Sequence, residues 1–261
     1  MIQIQNLTKI YKLSKRQQKE QNVKAGTKIA VNNVSMTIEK GKIHGILGTN
    51  GAGKTTMLRC MATLLKPTEG TITVNGADTV RDGEQVRRMI GFLTNEIKLD
   101  PQFRLRYLVH FFGQLHGMDE EAIERRKTEL FDRFGITEFQ DKLVEELSTG
   151  MKQKAAIAVS LIHDPEVIIF DEPTSGLDII TARAVTDYLL ELKKQGKTIV
   201  ISTHIMSEAE KLCDRISIIM DGKKEMEGSL EEILQRTGER DLEDAFFALY
   251  CGLELEKGEN A

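Results

Sequence analysis

Apolar residues alternate with polar ones at the start of the chain, then gather into short solid blocks separated by longer, helically spaced stretches. Residues 2–11 and 29–38 carry the alternation of strands, around a polar stretch. Residues 43–47 form a short apolar run ending in a glycine-rich turn. Residues 54–65 then place Met57, Leu58, Met61, Leu64 and Leu65 on one helical face, and Pro67 closes that helix. Residues 71–74, ahead of Asn75-Gly76, predict a strand entering a turn. Residues 101–146 are rich in helix formers and charges, with Leu105, Leu108, Phe111, Phe112 and Leu115 at helical spacing and 120–134 continuing the pattern. Three apolar strands follow at 167–171, 198–202 and 216–220, separated by helices at 180–194 and 205–213. Asp221-Gly222 after the last of them signals a hairpin. Leu242, Ala245, Phe246 and Leu249 recur at helical spacing, as in a terminal helix docked on the core. Strands alternating with helices predict an α/β fold.

Composition narrows the classes without choosing among them. The 261 residues are 40% hydrophobic and 29% charged, an ordinary globular balance that excludes a wholly disordered chain. With 36 basic and 40 acidic residues the net charge is −4, so a generally basic nucleic-acid binder is not indicated. Cys60, Cys213 and Cys251 are scattered, which predicts neither a disulfide framework nor a structural zinc site. No apolar run reaches the ~18 residues of a membrane span, and the N-terminus lacks a signal-peptide core. The chain is therefore expected on the cytoplasmic side of the membrane, with any membrane role carried by a partner.

The sharpest chemical signal is Gly48-Thr49-Asn50-Gly51-Ala52-Gly53-Lys54-Thr55-Thr56, which matches G-x4-G-K-[ST] between a strand and a helix. Glycines let the backbone wrap phosphates where a Cβ would intrude, and the loop amides and helix N-terminus offer positive partial charge. Lys54 is expected on the β- and γ-phosphates and Thr55 on Mg²⁺. A second signal is residues 167–172: four apolar positions, then Asp171 and Glu172 at the carboxyl end of a strand, where α/β sheets bind ligands. Asp171 suits the Mg²⁺ shell, and Glu172 suits polarising or deprotonating a water. Alone, such a pair could be ordinary surface acids; the phosphate loop upstream favours the chemical role.

In this order the motifs resemble those of the ATP-binding subunits of ABC transporters, over nearly the whole chain. Leu147-Ser148-Thr149-Gly150-Met151, followed by Lys152-Gln153-Lys154, resembles the family signature, with Thr149 and Met151 in place of the usual glycine and glutamine. Residues 173–178, ending in Asp178, resemble the D-loop; Ser202-Thr203-His204 resembles the switch-histidine segment; Tyr11 sits where the family stacks a ring on adenine. Asn95 is the best match to the Q-loop glutamine, one methylene shorter, and would contact Mg²⁺ or water. The resemblance implies a P-loop NTPase core with an N-terminal antiparallel β subdomain and an inserted α-helical signature subdomain. It divides the chain into core at 1–95 and 155–229, helical subdomain at 96–154 and C-terminal tail at 230–261. It further implies an ATPase using ATP and Mg²⁺, with Glu172, His204 and Lys54 catalytic. Ser148 and Gly150 would face the γ-phosphate of a second copy or close paralogue in a head-to-tail dimer, with Asp178 at the boundary.

The expected partners are integral membrane permease subunits, with no nucleic acid. Residues 90–96 and 241–246, with this signature variant, resemble the exporter branch of NatA-like sodium-extrusion and multidrug or antibiotic efflux ATPases. Sodium is the first substrate expected, with a drug, antibiotic or lipid as alternative. A soluble ABC ATPase is the other class, although the chain has one phosphate loop and too short a stretch between Lys54 and Leu147 for a long coiled-coil arm. Residues 96–117 are the expected membrane-coupling face, with Phe103, Leu105, Phe111 and Phe112 as candidate contacts. Residues 14–28 set Lys15, Arg16, Lys19, Lys24 and Lys28 against Glu20 alone, as in a solvated loop or a basic arm facing anionic lipid.

Overall fold

A computed structural model describes residues 1–14, 26–94 and 99–259. Asn95 and most of the basic 14–28 stretch therefore lie outside the described residues. The described residues build two sheets. In the first, β1 (Ile2–Lys12), β2 (Thr27–Ile38), β4 (Glu69–Val74) and β5 (Ala77–Asp78) run antiparallel in the order β2-β1-β4-β5. In the second, β3 (Ile43–Leu47), β6 (Ile90–Leu93), β7 (Val167–Asp171), β8 (Thr198–Thr203), β9 (Arg215–Met220) and β10 (Lys223–Gly228) take the order β10-β9-β3-β8-β7-β6. All pairs in it are parallel except the β9–β10 hairpin at Asp221-Gly222. Every residue of β3, β7 and β8 is buried. That is why these strands read as solid apolar blocks, whereas β1 and β2, covered on one face, alternate.

The apolar faces of β1, β2 and β4 pack with helix α1 (Lys54–Met61) against one side of the parallel sheet, through residues such as Ile4, Leu7, Met57, Met61, Ile169 and Val200. The other side carries α3 (Leu105–Leu115), α4 (Glu120–Phe134), α5 (Thr149–Leu161) and α6 (Ile179–Lys194), joined in one core around Leu105, Phe131, Phe134, Phe170 and Leu189. Short α2 (Gly83–Met89) leads into β6. Helices α7 (Met206–Leu212), α8 (Leu230–Thr237) and α9 (Leu242–Glu259) close the β9 end. Leu242, Ala245 and Phe246 are buried there, so the C-terminal stripe docks as expected.

Two expectations change. The helix predicted over 54–65 stops at Met61. Thr63 turns left-handed at φ 63°, and Leu64 and Leu65 both donate back to the Arg59 carbonyl, at 2.9 and 3.1 Å. This closing turn swings the chain to β1, where Thr68 N–H meets the Thr8 carbonyl at 2.8 Å. Leu64 is consequently 52% exposed rather than core. Conversely, Leu105 is fully buried and so is not free to meet a partner, while Phe112 is partly buried against the core. Helical spacing alone cannot say which side of a stripe faces in.

Three backbone segments clamp the end of β3. Gly222 N–H donates to the Ala52 carbonyl at 3.0 Å, and Asn32 N–H donates to the Gly222 carbonyl at 2.8 Å. The β9–β10 turn thereby ties the phosphate loop to β2 of the antiparallel sheet.

Candidate active site

The phosphate loop runs from the buried end of β3 into α1. Two of its glycines are required by close backbone approach. A Cβ on Gly48 would lie 2.3 Å from the Ile219 carbonyl oxygen, and one on Gly53, at φ 106°, would lie 2.3 Å from that of Ala30. Thr49, Asn50 and Gly51 are exposed at the tip, while Thr55 and Thr56 begin the helix. Lys54 is 5% exposed and donates to the carbonyls of Gly48 at 2.7 Å and Thr49 at 3.0 Å. Burial pulls its ammonium pKa below the ordinary lysine value, and the nearby Glu172 and Asp171 carboxylates partly oppose that pull.

Asp171 and Glu172 are adjacent but face different neighbours. Asp171 ends β7; one carboxylate oxygen accepts from the Thr55 hydroxyl at 2.7 Å and the other from the Ser202 hydroxyl on β8. Glu172 takes the left-handed conformation at φ 49°, uncommon for a residue with a Cβ. Its N–H is held by the Ser202 carbonyl at 3.1 Å and the Ser202 hydroxyl at 3.2 Å. The turn throws its side chain over the loop, where Oε1 lies 3.8 Å from Lys54 Nζ and 2.9 Å from His204 Nδ1. Ser202 is the residue the sequence reading left without a role. It holds both acids, and its only sequence signal is a hydroxyl directly after the apolar run Ile199–Ile201 of β8.

Tyr11, on β1, comes to the same mouth, with its hydroxyl 3.4 Å from Thr56 Oγ1 and the Lys9 ammonium 5.6 Å from its ring centroid. A cleft of about 420 Å³ runs between Tyr11, Lys28, Asn50, Gly51, Lys54 and Glu172. Lys54, Thr55, Asp171, Glu172, His204 and Tyr11 thus form one constellation.

Ser148, Gly150 and Asp178 form another, around the N-termini of α5 and α6. Ser148 caps α5, accepting from Met151 N–H at 3.3 Å. Asp178 caps α6, accepting from the N–H groups of Ile180 and Thr181 at 3.0 Å and from the Thr181 hydroxyl at 2.7 Å. The Thr181 N–H and hydroxyl, then Ile180 N–H, lower the Asp178 carboxyl pKa. A Cβ on Gly150 would stand 3.3 Å from the Thr181 hydroxyl. Gln153 links the two groups, its amide donating to the Pro173 carbonyl at 3.3 Å.

A phosphate loop closing onto paired acids, with a capped signature helix alongside, defines a nucleotide-hydrolysing cassette. The chain belongs to the ABC transporter family, whose model matches residues 31–175. A model for an AAA domain also matches residues 143–210, the stretch that holds Ser148, Asp171, Glu172 and His204. The ABC transporter ATP-binding protein NatA of Bacillus subtilis is 44% identical over 84% of this chain and 89% of its own length. The daunorubicin resistance ATP-binding protein DrrA3 of Streptomyces coeruleorubidus is 38% identical over 82% of this chain and 67% of its own. Among solved structures, the dimeric bacterial ABC transporter cassette MJ0796 aligns with a TM-score of 0.78 at 31% identity, covering 88% of this chain and 99% of that one. The chain is an ATP-binding subunit of an ABC transporter and an ATPase.

Proposed function

We propose that two copies of this chain, or this chain and a close paralogue, close head to tail over two ATP molecules and drive integral membrane subunits that export a solute. The observation that carries the reading is the meeting of Lys54, Glu172 and His204 at the mouth of the phosphate loop. In this reading the amides of residues 48–56 and Lys54 hold the β- and γ-phosphates, and Tyr11 lies against adenine. The Thr55 hydroxyl and Asp171 carboxylate, 2.7 Å apart, are hard oxygen donors that suit Mg²⁺. Bound there with ATP, Mg²⁺ supplies charge neutralisation on the phosphate oxygens. The motif resemblance alone adds Asn95 to this set. Glu172 accepts the proton of the attacking water, and His204 steadies the carboxylate and reaches toward the γ-phosphate.

Ser148 and Gly150 serve the γ-phosphate of the opposing copy, with Asp178 at the boundary. Gly150 and Asp178 meet at the start of α6 and none of the three lines the cleft beside Lys54, which supports that assignment, as does the dimeric cassette among the similar structures. No described helix is long and apolar enough to cross a membrane. In this reading the membrane path belongs to other subunits and this chain is peripheral on the cytoplasmic face. The face that meets them is α3 and the turn before it. There Phe103 stacks on Tyr107 and Tyr107 on Phe111, with centroids 4.9 and 6.3 Å apart, all three rings more than 40% exposed. In this reading sodium is the first cargo, on the motif resemblance alone; the daunorubicin resistance protein among the relatives favours a drug as the second.

The test is Glu172→Gln. It keeps ATP affinity and loses about a hundredfold or more in turnover, because an amide cannot take the proton. It also accumulates an ATP-dependent dimer on a sizing column. Wild-type turnover overturns the base, and a variant that binds ATP yet stays monomeric overturns the sandwich.

A further inference from the structure

We propose that Glu208 is a positioning residue for ATP hydrolysis: it ties the Thr203-His204 loop to the 172–178 loop and thereby sets His204 against Glu172. Glu208 sits in the first turn of α7, only 8% exposed. Its two carboxylate oxygens are divided between two loops. Oε2 accepts from the Thr203 hydroxyl at 2.6 Å, and Oε1 accepts from the Thr174 hydroxyl at 2.7 Å. Thr203 also accepts from the Ile205 N–H at 3.0 Å, which folds the residues around His204 into a tight turn.

The result is a closed ring. It runs from Glu172 along the chain to Thr174, through Glu208 to Thr203, on to His204, and back to Glu172 across the 2.9 Å contact of His204 Nδ1 with Oε1. The exposed side of the ring is the His204–Glu172 contact at the nucleotide mouth. The buried side is the Glu208 bridge. A carboxylate shut away from water needs partners, and Glu208 uses two hydroxyls from separate strand ends, an arrangement that fixes the gap between those ends. The strand ends are also joined by the Glu172 N–H bonds to Ser202; with the buried tie cut, the residues beyond them are held side chain to side chain by the half-exposed His204–Glu172 contact. A small displacement between base and nucleophile is costly in rate, about a hundredfold for roughly 1 Å. Lys54, Thr55 and Tyr11, which this reading sets on the phosphates, Mg²⁺ and adenine, lie outside the ring, so cutting the Glu208 bridge acts mainly on kcat rather than on nucleotide affinity.

This inference rests on the assignment of Glu172 and His204 to the hydrolytic step. The experiment measures kcat and KM for ATP, and ATP affinity, on the full chain carrying E208A, E208Q, T174V, H204A or H204A/E208A, beside E172Q. Expected is a kcat about a hundredfold lower in E208A with KM and affinity nearly unchanged, and a smaller loss in E208Q. The double variant should be no slower than H204A alone, because both changes break the same ring. T174V, which cuts one bond while nearly conserving volume, should also lower kcat alone, and it carries the test if E208A does not fold. Wild-type kcat in T174V or E208A, or losses that multiply with H204A, overturn the proposal while leaving the base intact. If E172Q itself hydrolyses ATP normally, it is the underlying assignment that fails.

Discussion

Replacing Lys54 with Met separates what the lysine does for ATP from what it does for the fold. The side chain is 5% exposed, and its ammonium holds two carbonyls of its own loop. Hydrogen bonds from a charged donor contribute about 1.5–3 kcal/mol each, while burying an ion costs several kcal/mol. These terms oppose each other, and the lowered pKa of Lys54 shows that burial outweighs its partners. The sign follows. A group with a depressed folded pKa adds stability only in its deprotonated form, above the ordinary lysine pKa of 10.5, and loses it as pH falls through the folded pKa. At neutral pH the charged lysine is therefore a net cost to the nucleotide-free chain. Met, of similar length and without charge, should leave that chain within about 1 kcal/mol of wild type or more stable. With ATP at about 100 times Kd the wild type gains ~2.7 kcal/mol, roughly 5–10 °C in Tm for a chain of this size. The variant should lose that gain and its turnover. Thermal unfolding with and without ATP reads both quantities. A Lys54→Met chain that keeps the ATP shift, or falls several degrees without ATP, refutes the argument.

Burial holds the His44 pKa at about 4, down from 6.5, with Nε2 2.9 Å from the Ser217 hydroxyl between β3 and β9. Its neutral form stabilises the fold fully above pH 6.5, and that contribution drains away as pH falls toward about 4, some 3 kcal/mol in all. Urea midpoints from pH 7 to 4 should fall less steeply in His44→Gln; equal slopes would count against the assignment. Phe246→Ala, at a side chain 4% exposed in the α7–α9 cluster, should cost about 3–5 kcal/mol in urea unfolding without changing ATP affinity. A loss under about 1 kcal/mol would mean α9 is loosely held.

The fold class is legible because the two periodicities are clean. Solid blocks at 43–47, 167–171 and 198–203 mark strands covered on both faces, and the alternation in β1 and β2 marks the half-covered sheet. Boundaries are less legible where a residue takes an unusual backbone. Thr63 ends α1 in a left-handed turn that favours glycine, so nothing in the sequence announces it. The same holds at Glu172, whose left-handed turn parts it from Asp171. Motif spacing names both acids but cannot say that one turns to Thr55 and Ser202 and the other to Lys54 and His204. Glu208 is hidden for another reason. An acid in the first turn of a helix reads as a response to the helix dipole, and only the parallel pairing of β7 with β8 brings Thr174 to it.

The clamp beneath the phosphate loop has a consequence for how the protein is made. Gly48 and Gly53 leave the ribosome well before the loop's backbone partner Gly222 and the β9 residues beside β3. The His44–Ser217 contact alone spans 173 positions of sequence. At ~5–20 residues per second, the nascent chain carries the loop's residues for roughly ten seconds or more before the strand that shapes them arrives. Until then the apolar run of β3 has neither neighbour in the sheet, since β8 also comes late. High contact order of this kind slows folding and prolongs exposure of unpaired strand edges. Nucleotide binding should therefore come late to the growing chain, and a chain truncated before residue 222 is expected to fail an ATP-binding assay even though every residue of the loop is present.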